Sequence, residues 1–521
     1  MRAKSIQVCG TGSGVGKSIL VSALCRIFLQ DGYQVCPFKA QNMALNSFVT
    51  NETGEIGRAQ AVQALACRIE PSVDMNPVLI KPVTDIGAQV IVRGRPIGNM
   101  NARNYADYKA KLFPVVRKSF DRLSKKYDLV VMEGAGSPAE INLKAHDIVN
   151  LKMAQYAKAP VILAGDIDKG GVFASLVGTL ELLTKKERAM IKGFIINKFR
   201  GDETLLAPGI KFLEKRTGVK VLGVIPYYKD ILIPEEDAVP LDSFVKKNFV
   251  LKQQKLKRKL NISVIYLPHI SNFTDFDALS AENDVELKYV KRPEELKASD
   301  IIIIPGTKNT IADLLWLKQS GFAERILSTV PAKNLGGSAT ICGGSCQLPI
   351  IFGICGGYQM LGEMVYDEHL IESGYKKISG LGLLPVNTYL GKKKQLSRVK
   401  ARDLSSGIEL SGYEIHHGVT KADYKGCRSF FKVFQRNGRK VNYSDGAIND
   451  DGMVLGTYIH GLFDAAGFRR DFLNGVKIRR GLTASSQAAV YNPDEEIDRL
   501  AKLVREHIDS SYLYKILNKE V

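Results

Sequence analysis

Long hydrophobic runs are absent from this chain of 521 residues, and their absence excludes several classes of protein. No apolar stretch reaches the length of about eighteen residues that a membrane span requires. The first residues, MRAK, lead directly into a strand pattern, so we expect no signal peptide and a cytoplasmic location. The cysteines are few and scattered, which indicates reduced thiols rather than a disulfide framework.

Acidic residues are scarce relative to basic ones. Lysine and arginine number 73 against 54 aspartates and glutamates, which gives a formal charge of +19. Such a charge concentrates anions near the surface, so a nucleotide or an acidic metabolite is the expected partner. No recognition helix, zinc finger or aromatic RNA-binding motif accompanies the charge, and we therefore expect no nucleic acid partner. A lysine-rich surface that reflects only the host's composition remains an alternative.

The chain is too long for one hydrophobic core, and its pattern divides it in two. Short apolar strands alternate with helical patterns on both sides of the charged stretch KKNFVLKQQKLKRK, which predicts a linker at 246–259. This alternation is typical of doubly wound α/β domains with parallel sheets, here 1–245 and 260–521. We expect the C-terminal stretch YNPDEEIDRLAKLVREHIDSSYLYKIL to be helical and to close the second domain.

The N-terminal sequence Ser5–Val35 indicates a phosphate-binding loop between a strand and a helix. Its candidate binding residues are Gly12, Gly14, Gly16, Lys17 and Ser18. Backbone N–H groups of such a loop hold phosphate oxygens, while the lysine reaches the terminal phosphates and the serine reaches Mg²⁺. The strict pattern fails at one position, because Thr11 stands where the first glycine is expected and Gly10 precedes it. We nevertheless expect the loop to bind a nucleoside triphosphate.

Polar residues follow several later strands of the first half. Glu133 ends the apolar run YDLVVME, where a carboxylate could hold Mg²⁺ against the phosphates, although a solvated strand-end glutamate is the alternative. Asn197 ends another strand and is a candidate nucleotide contact. Further candidates at strand ends are Asp166, Asp168, Lys198 and Arg200.

The second half contains a candidate nucleophile. The run LPIIFGICGGYQMLGEMV places Cys355 between an apolar strand and a helix, with glycines on both sides. A helix N-terminus and a nearby imidazole would favour the thiolate form of such a cysteine. Cys342 repeats the ICGG tetrapeptide, but no apolar strand precedes it and no helix pattern follows it. Cys342 and Cys346 would be a weak zinc signal, and a flexible inserted loop is the preferred interpretation.

A histidine partner for this thiol must come from only seven histidines. His460 is the best candidate, because the apolar run MVLGTYI ends at it and a glycine follows. His416 and His417 in SGYEIHHG are the next choice.

With these residues in place, the chain resembles the cobyric acid synthases over essentially its whole length. The most specific segment is PFKAQNMALNSFVT at Pro37–Thr50. Supporting segments are MNPVLIKP, EGAGSPAEINL, LPHISNFTDFDAL, PGTKNT, FGICGGYQMLG and GYEIHHG. The N-terminal half also resembles dethiobiotin synthetase, and the C-terminal half resembles class I glutamine amidotransferases.

The resemblance implies a glutamine-hydrolysing carbon–nitrogen ligase. Cys355 would attack glutamine, His460 would shuttle protons, and the N–H groups of Gly306 and Gly356 would form the oxyanion hole. The released ammonia would amidate the b, d, e and g carboxylates of adenosylcobyrinic acid a,c-diamide after ATP had phosphorylated them. The partners would thus be glutamine and a corrinoid polycarboxylate.

The resemblance also assigns roles in the N-terminal half. Lys17 and Ser18 would hold phosphates and Mg²⁺, and Glu133 would hold Mg²⁺. Lys39 would face the reacting carboxylate or the γ-phosphate.

The sequence departs from the related patterns at two places. Many class I glutaminases have a glutamate two residues after the histidine, but position 462 is leucine here, so nothing in the local sequence orients His460. The stretch 330–347 is longer than the usual connection before the cysteine and could reduce glutaminase activity.

Two other functions remain open at this level. One is the sister amidase that forms the a,c-diamide, which is not expected to carry the AQNM and MNP segments. The other is a nucleotide-switched regulatory ATPase with a glutaminase-like module. Such switches usually have a second lysine early in the loop, where this chain has Gly10 and Thr11.

Overall fold

The structure is a computed structural model that describes residues 2–82, 87–228, 231, 233, 259–330, 348–422, 425–486, 489 and 491–521. It divides into two compact units. Unit 1 comprises 1–44, 50–237 and 492–521, and unit 2 comprises Leu45–Val49 and 238–491. The predicted linker 246–259 lies outside the described residues except for Lys259, and Cys342 and Cys346 lie outside them as well.

The described part of unit 1 is built around a six-stranded sheet in which all neighbouring strands are parallel. In their order across the sheet, the strands are Val221–Pro226, Ile191–Phe199, Val161–Asp166, Lys4–Gly10, Leu129–Glu133 and Val35–Phe38. The strand order reverses at Lys4–Gly10, which is where ligands bind in open parallel sheets. The phosphate loop predicted from the sequence follows this strand.

A smaller sheet and several helices complete unit 1. The strands of the small sheet are Gln41–Met43, Val78–Pro82, Gly87–Val92 and Arg95–Asn101, and a further strand is Glu55–Gly57. The α-helices are Lys17–Gln30, Arg58–Ala66, Ala102–Lys126, Leu151–Ala157, Val172–Glu181, Lys185–Arg188, Ala207–Thr217, Pro493–Glu506 and Ser510–Asn518, with 3-10 turns at Lys144–His146 and Glu203–Leu206. Apolar side chains of the helices and of both faces of the large sheet form the core.

The last two helices belong to unit 1, whereas the sequence analysis placed them in the second domain. Apolar residues of Pro493–Glu506 and Ser510–Asn518 pack into the core that contains the helix Lys17–Gln30. Buried Arg26 on that helix forms ion pairs with Asp494 and with Asp498, the latter at 2.7 Å. The helical pattern was predicted correctly, but periodicity gives no information about which sheet a terminal helix covers.

Unit 2 contains a seven-stranded mixed sheet among its described residues. In their order across the sheet, the strands are Val285–Val290, Leu260–Ile265, Ile301–Ile304, Ile350–Ile354, Val454–Thr457, Ala447–Asn449 and Cys427–Arg428. The first five pair in parallel, and the last two add antiparallel pairs at one edge. The prediction of two mainly parallel α/β units is confirmed.

A second, largely antiparallel sheet in unit 2 was not predicted. Its strands are Lys377–Ser379, Met364–Tyr366, Val386–Asp403, Phe431–Arg436 and Arg439–Asp445, and Glu409–Ala422 pairs with Val386–Asp403. The short strand Ser47–Val49 is also part of this unit. Its helices are Asp277–Ser280, Thr310–Gln319, Phe322–Leu327, Gly356–Leu361 and Ala466–Arg479, with 3-10 turns at Phe273–Phe276, Pro293–Ala298 and Leu462–Asp464.

Among the described residues, no helix combines the length and apolar character needed to cross a membrane.

We predict that Arg26→Ala lowers the free energy of unfolding of unit 1 by about 3 kcal/mol, because it removes the buried partner of two carboxylates. Calorimetric unfolding should show a lower Tm for the transition of this unit. Arg499→Ala is the matched control, because this exposed arginine lies on the helix of Asp494 and Asp498 but pairs with Glu496 at the surface. Equal Tm values for the two variants would contradict the prediction.

Candidate active sites

Three neighbouring parallel strands of unit 2 deliver the predicted catalytic residues to one edge of the sheet. Gly306 follows the strand Ile301–Ile304, and Cys355 follows Ile350–Ile354 directly. His460 lies three residues beyond Thr457, the end of the next strand. Carboxyl ends of parallel strands meet at one edge, which brings these distant sequence positions together.

Cys355 occupies a strained turn between its strand and the helix Gly356–Leu361. Its φ of 54° and ψ of −107° lie outside the regions that residues with a side chain usually adopt. The turn is tightly packed, since a Cβ at Gly357 would come within 1.9 Å of the carbonyl oxygen of Ile304. The thiol is 6% exposed and donates to the carbonyl oxygen of Ile415 at 3.4 Å. The backbone thus fixes the sulfur at the tip of the turn, as the flanking glycines predicted.

His460 is held by a carboxylate that the sequence analysis did not identify. Its Nδ1 lies 2.6 Å from Oδ2 of Asp275, and the other oxygen of this carboxylate accepts from the N–H of Gly461 at 3.0 Å. The ring of Tyr413 stacks on the imidazole with centroids 5.3 Å apart. Asp275 therefore orients the imidazole in place of an acid at position 462, which is leucine and buried.

The environment of His460 favours its charged form. Burial by itself lowers the pKa of the imidazole, but the charge and hydrogen bond of Asp275 and the interaction with Cys355 outweigh burial and raise the pKa to about 10. The stability gained from the charged pair is present below the ordinary pKa of histidine and is lost as the pH rises through about 10. At neutral pH the site therefore contains an imidazolium beside Cys355.

The two predicted oxyanion-hole residues lie on neighbouring turns. A Cβ added at Gly356 would come within 2.5 Å of Cγ2 of Thr307, the residue after Gly306. A Cβ added at Gly306 would lie 3.0 Å from Cε1 of His460. A side chain at Gly306 would therefore crowd His460, and one at Gly356 would crowd Thr307.

The alternative histidines have other partners. Nδ1 of His416 lies 2.6 Å from the carbonyl oxygen of Gly418, and its ring stacks on Tyr458 with centroids 3.8 Å apart. Burial lowers the pKa of His416 to about 3, so this imidazole is neutral. Nδ1 of His417 lies 3.2 Å from the carbonyl oxygen of Gly391. These carbonyl contacts differ from the carboxylate contact that holds His460.

The phosphate loop of unit 1 has the predicted geometry. Gly14 and Gly16 have φ values of 71° and 94°, which favour glycine, and the helix begins at Lys17. Nζ of Lys17 donates to the carbonyl oxygen of Gly12 at 2.7 Å, so the ammonium lies over the loop. Gly10 explains the departure from the strict pattern, because a Cβ there would lie 2.4 Å from Val15 and 3.1 Å from Nζ of Lys17.

Glu133 is the centre of a buried polar cluster beside this loop. Its Oε1 accepts from the hydroxyl of Ser18 and from Nζ of Lys39, each at 2.8 Å, and its Oε2 accepts from Nε2 of Gln63 at 2.5 Å. Burial raises the pKa of this carboxyl, but the charge of Lys39 and the three hydrogen bonds outweigh burial, and the net pKa is lowered. Gln60 contacts Oε2 at 3.5 Å. Gln60 and Gln63 lie on the helix Arg58–Ala66, which has no recognised motif, and neither was predicted as a site residue.

Asn197 supports the loop from a neighbouring strand. Its Nδ2 donates to the carbonyl oxygen of Val15 at 2.8 Å, and a Cβ at Gly16 would lie 2.3 Å from the same nitrogen. Lys198 also reaches the loop, because its Nζ donates to the carbonyl oxygen of Gly14 and forms an ion pair with Asp166 at 2.9 Å. These contacts brace the loop backbone.

Asp168 and Arg200, also candidates from the sequence, form an exposed ion pair at 2.7 Å. The guanidinium of Arg200 lies over the ring of Tyr227, 3.4 Å from its centroid. The structure therefore pairs Asp168 with Arg200, and Arg200 in turn contacts Tyr227.

The oxygen donors of Ser18 and Glu133 suit a hard cation such as Mg²⁺, which takes one or two protein oxygens and completes its shell with water and phosphate. The described residues contain no group of three or more His, Cys, Asp or Glu side chains placed to bind a metal ion. A cation here would therefore depend on the phosphates of a nucleotide for further ligands.

Comparison with known proteins identifies a family domain in each half of the chain. The family model described as a CobQ/CobB/MinD/ParA nucleotide binding domain matches residues 6–241, and that of a CobB/CobQ-like glutamine amidotransferase domain matches 261–468. The fold and the sites thus define an amidotransferase with a nucleotide-binding unit.

Curated relatives narrow this class to one family. Cobyric acid synthase of Syntrophobacter fumaroxidans is 47% identical over 99% of both chains, and that of Dehalococcoides mccartyi strain CBDB1 is 49% identical over 100% of both. Cobyric acid synthase of Clostridium botulinum strain Loch Maree is 47% identical over 98% of this chain and 99% of its own. The chain belongs to the cobyric acid synthase family.

A glutamine amidotransferase of known structure, 14% identical over 41% of this chain and 97% of its own at a TM-score of 0.29, is too distant to refine this assignment.

We predict that Asp275→Asn reduces glutamine hydrolysis about a hundredfold or more, because an amide neither orients Nδ1 as a carboxylate does nor stabilises the imidazolium. The alkaline limb of the pH profile for glutamate release should move to lower pH, since the raised pKa of His460 depends on this charge. Asp450→Asn, at an exposed turn, is the control. An unchanged pH profile in Asp275→Asn would show that this carboxylate does not set the pKa of His460.

Proposed function

We propose that this protein catalyses the ATP- and glutamine-dependent amidation of the b, d, e and g carboxylates of adenosylcobyrinic acid a,c-diamide, which is the reaction implied by its family. The observation that carries the proposal is the interaction of Cys355, on a strained turn, with His460, which Asp275 holds, in a chain that also has a phosphate loop. Full-length relatives named for this activity favour it over the a,c-diamide-forming amidase and over a regulatory ATPase. The cytoplasmic location stays a prediction.

In the first half-reaction, the thiolate of Cys355 attacks the side-chain amide carbon of glutamine. The electron pair of the carbonyl bond moves to oxygen, and the N–H groups of Gly306 and Gly356 stabilise the resulting oxyanion. His460 gives a proton to the departing nitrogen, so ammonia leaves and a thioester remains. Water then attacks the thioester with His460 as the base, and the thiolate leaves, so the thiolate and the imidazolium are restored. The new carboxyl group loses its proton to solvent, and the product is glutamate. Asp275 keeps Nδ1 protonated throughout.

In the second half-reaction, an oxygen of the substrate carboxylate attacks the γ-phosphorus of ATP, and ADP leaves. Lys17 and the loop amides of Gly12, Gly14 and Gly16 neutralise the phosphate charge, while Asn197 braces the loop. Ammonia then attacks the acyl phosphate carbon, phosphate leaves with the bonding electrons of the C–O bond, and the nitrogen loses one proton to phosphate or solvent to give the amide.

Three further residues act on the charge that develops at the phosphates. Ser18 and Glu133 would hold Mg²⁺, which would neutralise charge on the phosphate oxygens. Lys39 is ion-paired with Glu133 at 2.8 Å and is 5% exposed. From this position its ammonium can turn to the γ-phosphate or to the reacting carboxylate once a cation takes the glutamate oxygen.

We predict that Cys355→Ser abolishes the reaction supported by glutamine and preserves the reaction supported by ammonium salts, because only the first requires the thiol. The assay is incubation with ATP, Mg²⁺ and the a,c-diamide, followed by mass spectrometry, in which each amidation lowers the mass by about one dalton. Cys427→Ser changes a buried cysteine elsewhere in the same unit and is the control. Loss of both reactions in Cys355→Ser would contradict the assigned role. Amidation at the a and c positions of the unamidated corrinoid would favour the sister enzyme.

For Lys39→Met we predict loss of synthesis and retention of glutamine hydrolysis, the reverse of the effect expected for Cys355→Ser. The substitution removes the ammonium next to Glu133, so synthesis should fall at least about a hundredfold with either nitrogen source. Hydrolysis of glutamine to glutamate should persist. Lys118→Ala, on an exposed helix position, is the control. Retention of ammonium-supported synthesis in Lys39→Met would show that Lys39 acts outside phosphoryl transfer.

A further inference from the structure

The segment Leu45–Val49 belongs to unit 2, although the chain before and after it belongs to unit 1. It is part of PFKAQNMALNSFVT, the most specific segment of the sequence, and neither half-reaction above uses it. Its neighbours in unit 2 are the residues that surround His460. A short piece of the N-terminal sequence therefore lies beside the residues of the glutaminase site.

Two buried hydrogen bonds attach the segment to the turn that carries Asp275. Oδ1 of Asn46 accepts from the N–H of Phe273 at 3.2 Å, and the N–H of Ser47 donates to Oδ1 of Asn272 at 3.1 Å. Asn46 and Ser47 are 0% exposed. Because water cannot replace these bonds, loss of either acceptor leaves a buried N–H without its partner.

The turn attached in this way sets the position of His460. Asn272 adopts a left-handed conformation with φ of 54°, and the 3-10 turn Phe273–Phe276 follows it. Asp275 lies within this turn and holds Nδ1 of His460. Nδ2 of Asn272 lies 3.5 Å from Nε2 of the same imidazole. A shift of the turn would therefore displace both polar groups beside the catalytic ring.

The segment also contacts Tyr413, the aromatic residue that stacks on His460. The ring of Phe48 lies 5.6 Å from that of Tyr413, which stacks on the imidazole. Val49 is buried with Leu396, Tyr413 and Ile415, and the carbonyl oxygen of Ile415 accepts from the thiol of Cys355. The segment thus supports the imidazole through the Asp275 turn and through the stacked tyrosine.

We propose that Asn46 is a positioning residue for glutamine hydrolysis, which acts by fixing the Asn272–Asp275 turn so that His460 faces Cys355. Phe48 supports the same ring through Tyr413. The inference rests on the proposed role of Cys355 and adds a requirement that comes from the N-terminal half of the sequence. Lys39, at the phosphate loop, lies only a few residues earlier in the same motif.

The test uses the full-length variants Asn46→Ala and Phe48→Leu, with Asn51→Ala as the control. Asn51 is an exposed residue just beyond the segment and donates to Glu70. For Asn46→Ala we expect the kcat of glutamate release to fall at least about tenfold, because a small displacement of a catalytic group is enough to slow the reaction. Ammonium-supported synthesis should remain unchanged. Phe48→Leu keeps an apolar side chain and should show a smaller fall of the same kind.

The pH profile separates positioning from loss of structure. If the Asp275 turn shifts in Asn46→Ala, the pKa of His460 is raised less, and the alkaline limb for glutamate release moves to lower pH. Partial unfolding would instead lower the rate of glutamate release at every pH, together with the rate of ammonium-supported synthesis. It would leave the pH of the alkaline limb unchanged. Equal losses in both reactions, or unchanged glutamate release in both segment variants, would overturn the inference. Failure of the Cys355→Ser prediction would instead contradict the proposed function itself.

Discussion

The interaction on which the glutaminase site depends is the hydrogen-bonded ion pair between buried His460 and Asp275. A charged imidazole with 1% exposure is unfavourable unless a carboxylate compensates for its lost hydration. Asp275 provides that charge, and it also accepts the N–H of Gly461, so one side chain fixes both the ring and the backbone after it. The catalytic form of the histidine is therefore a property of a turn that lies 185 residues earlier in the chain.

Glu133 has a comparable role in unit 1, with the signs reversed. It is a buried anion, and Lys39, Ser18 and Gln63 compensate for its lost hydration. The lysine that neutralises it is also the candidate to act on the reacting groups. A ligand that brings its own cation and phosphates would compete for the same partners. Binding of such a ligand would exchange one set of charge contacts at Glu133 for another.

The sequence predicted those parts of the sites that lie within one continuous pattern. The strand, loop and helix around Lys17 and the strand-to-helix turn at Cys355 each lie within a few residues, so glycine spacing and apolar runs revealed them. His460 was identified because it follows an apolar strand. Asp275 could not be assigned from spacing, since its contact with His460 is made only by the tertiary fold, although its motif FTDFDAL was visible. Gln63 lies on a helix with no distinguishing pattern, and the packing of the C-terminal helices on unit 1 depends on long-range apolar contacts and on Arg26.

The position of Leu45–Val49 suggests why its motif is so specific. A surface loop tolerates substitution, but this segment satisfies buried backbone groups of another part of the chain and fills a cluster with Tyr413 and Ile415. Those constraints act on the side chain at 46, on the backbone at 47 and on apolar volume at 48 and 49. A phosphate loop alone would impose none of them. The motif is therefore better explained by two functions within one short segment. Lys39 acts in the nucleotide-binding unit, and Asn46 supports the glutaminase site.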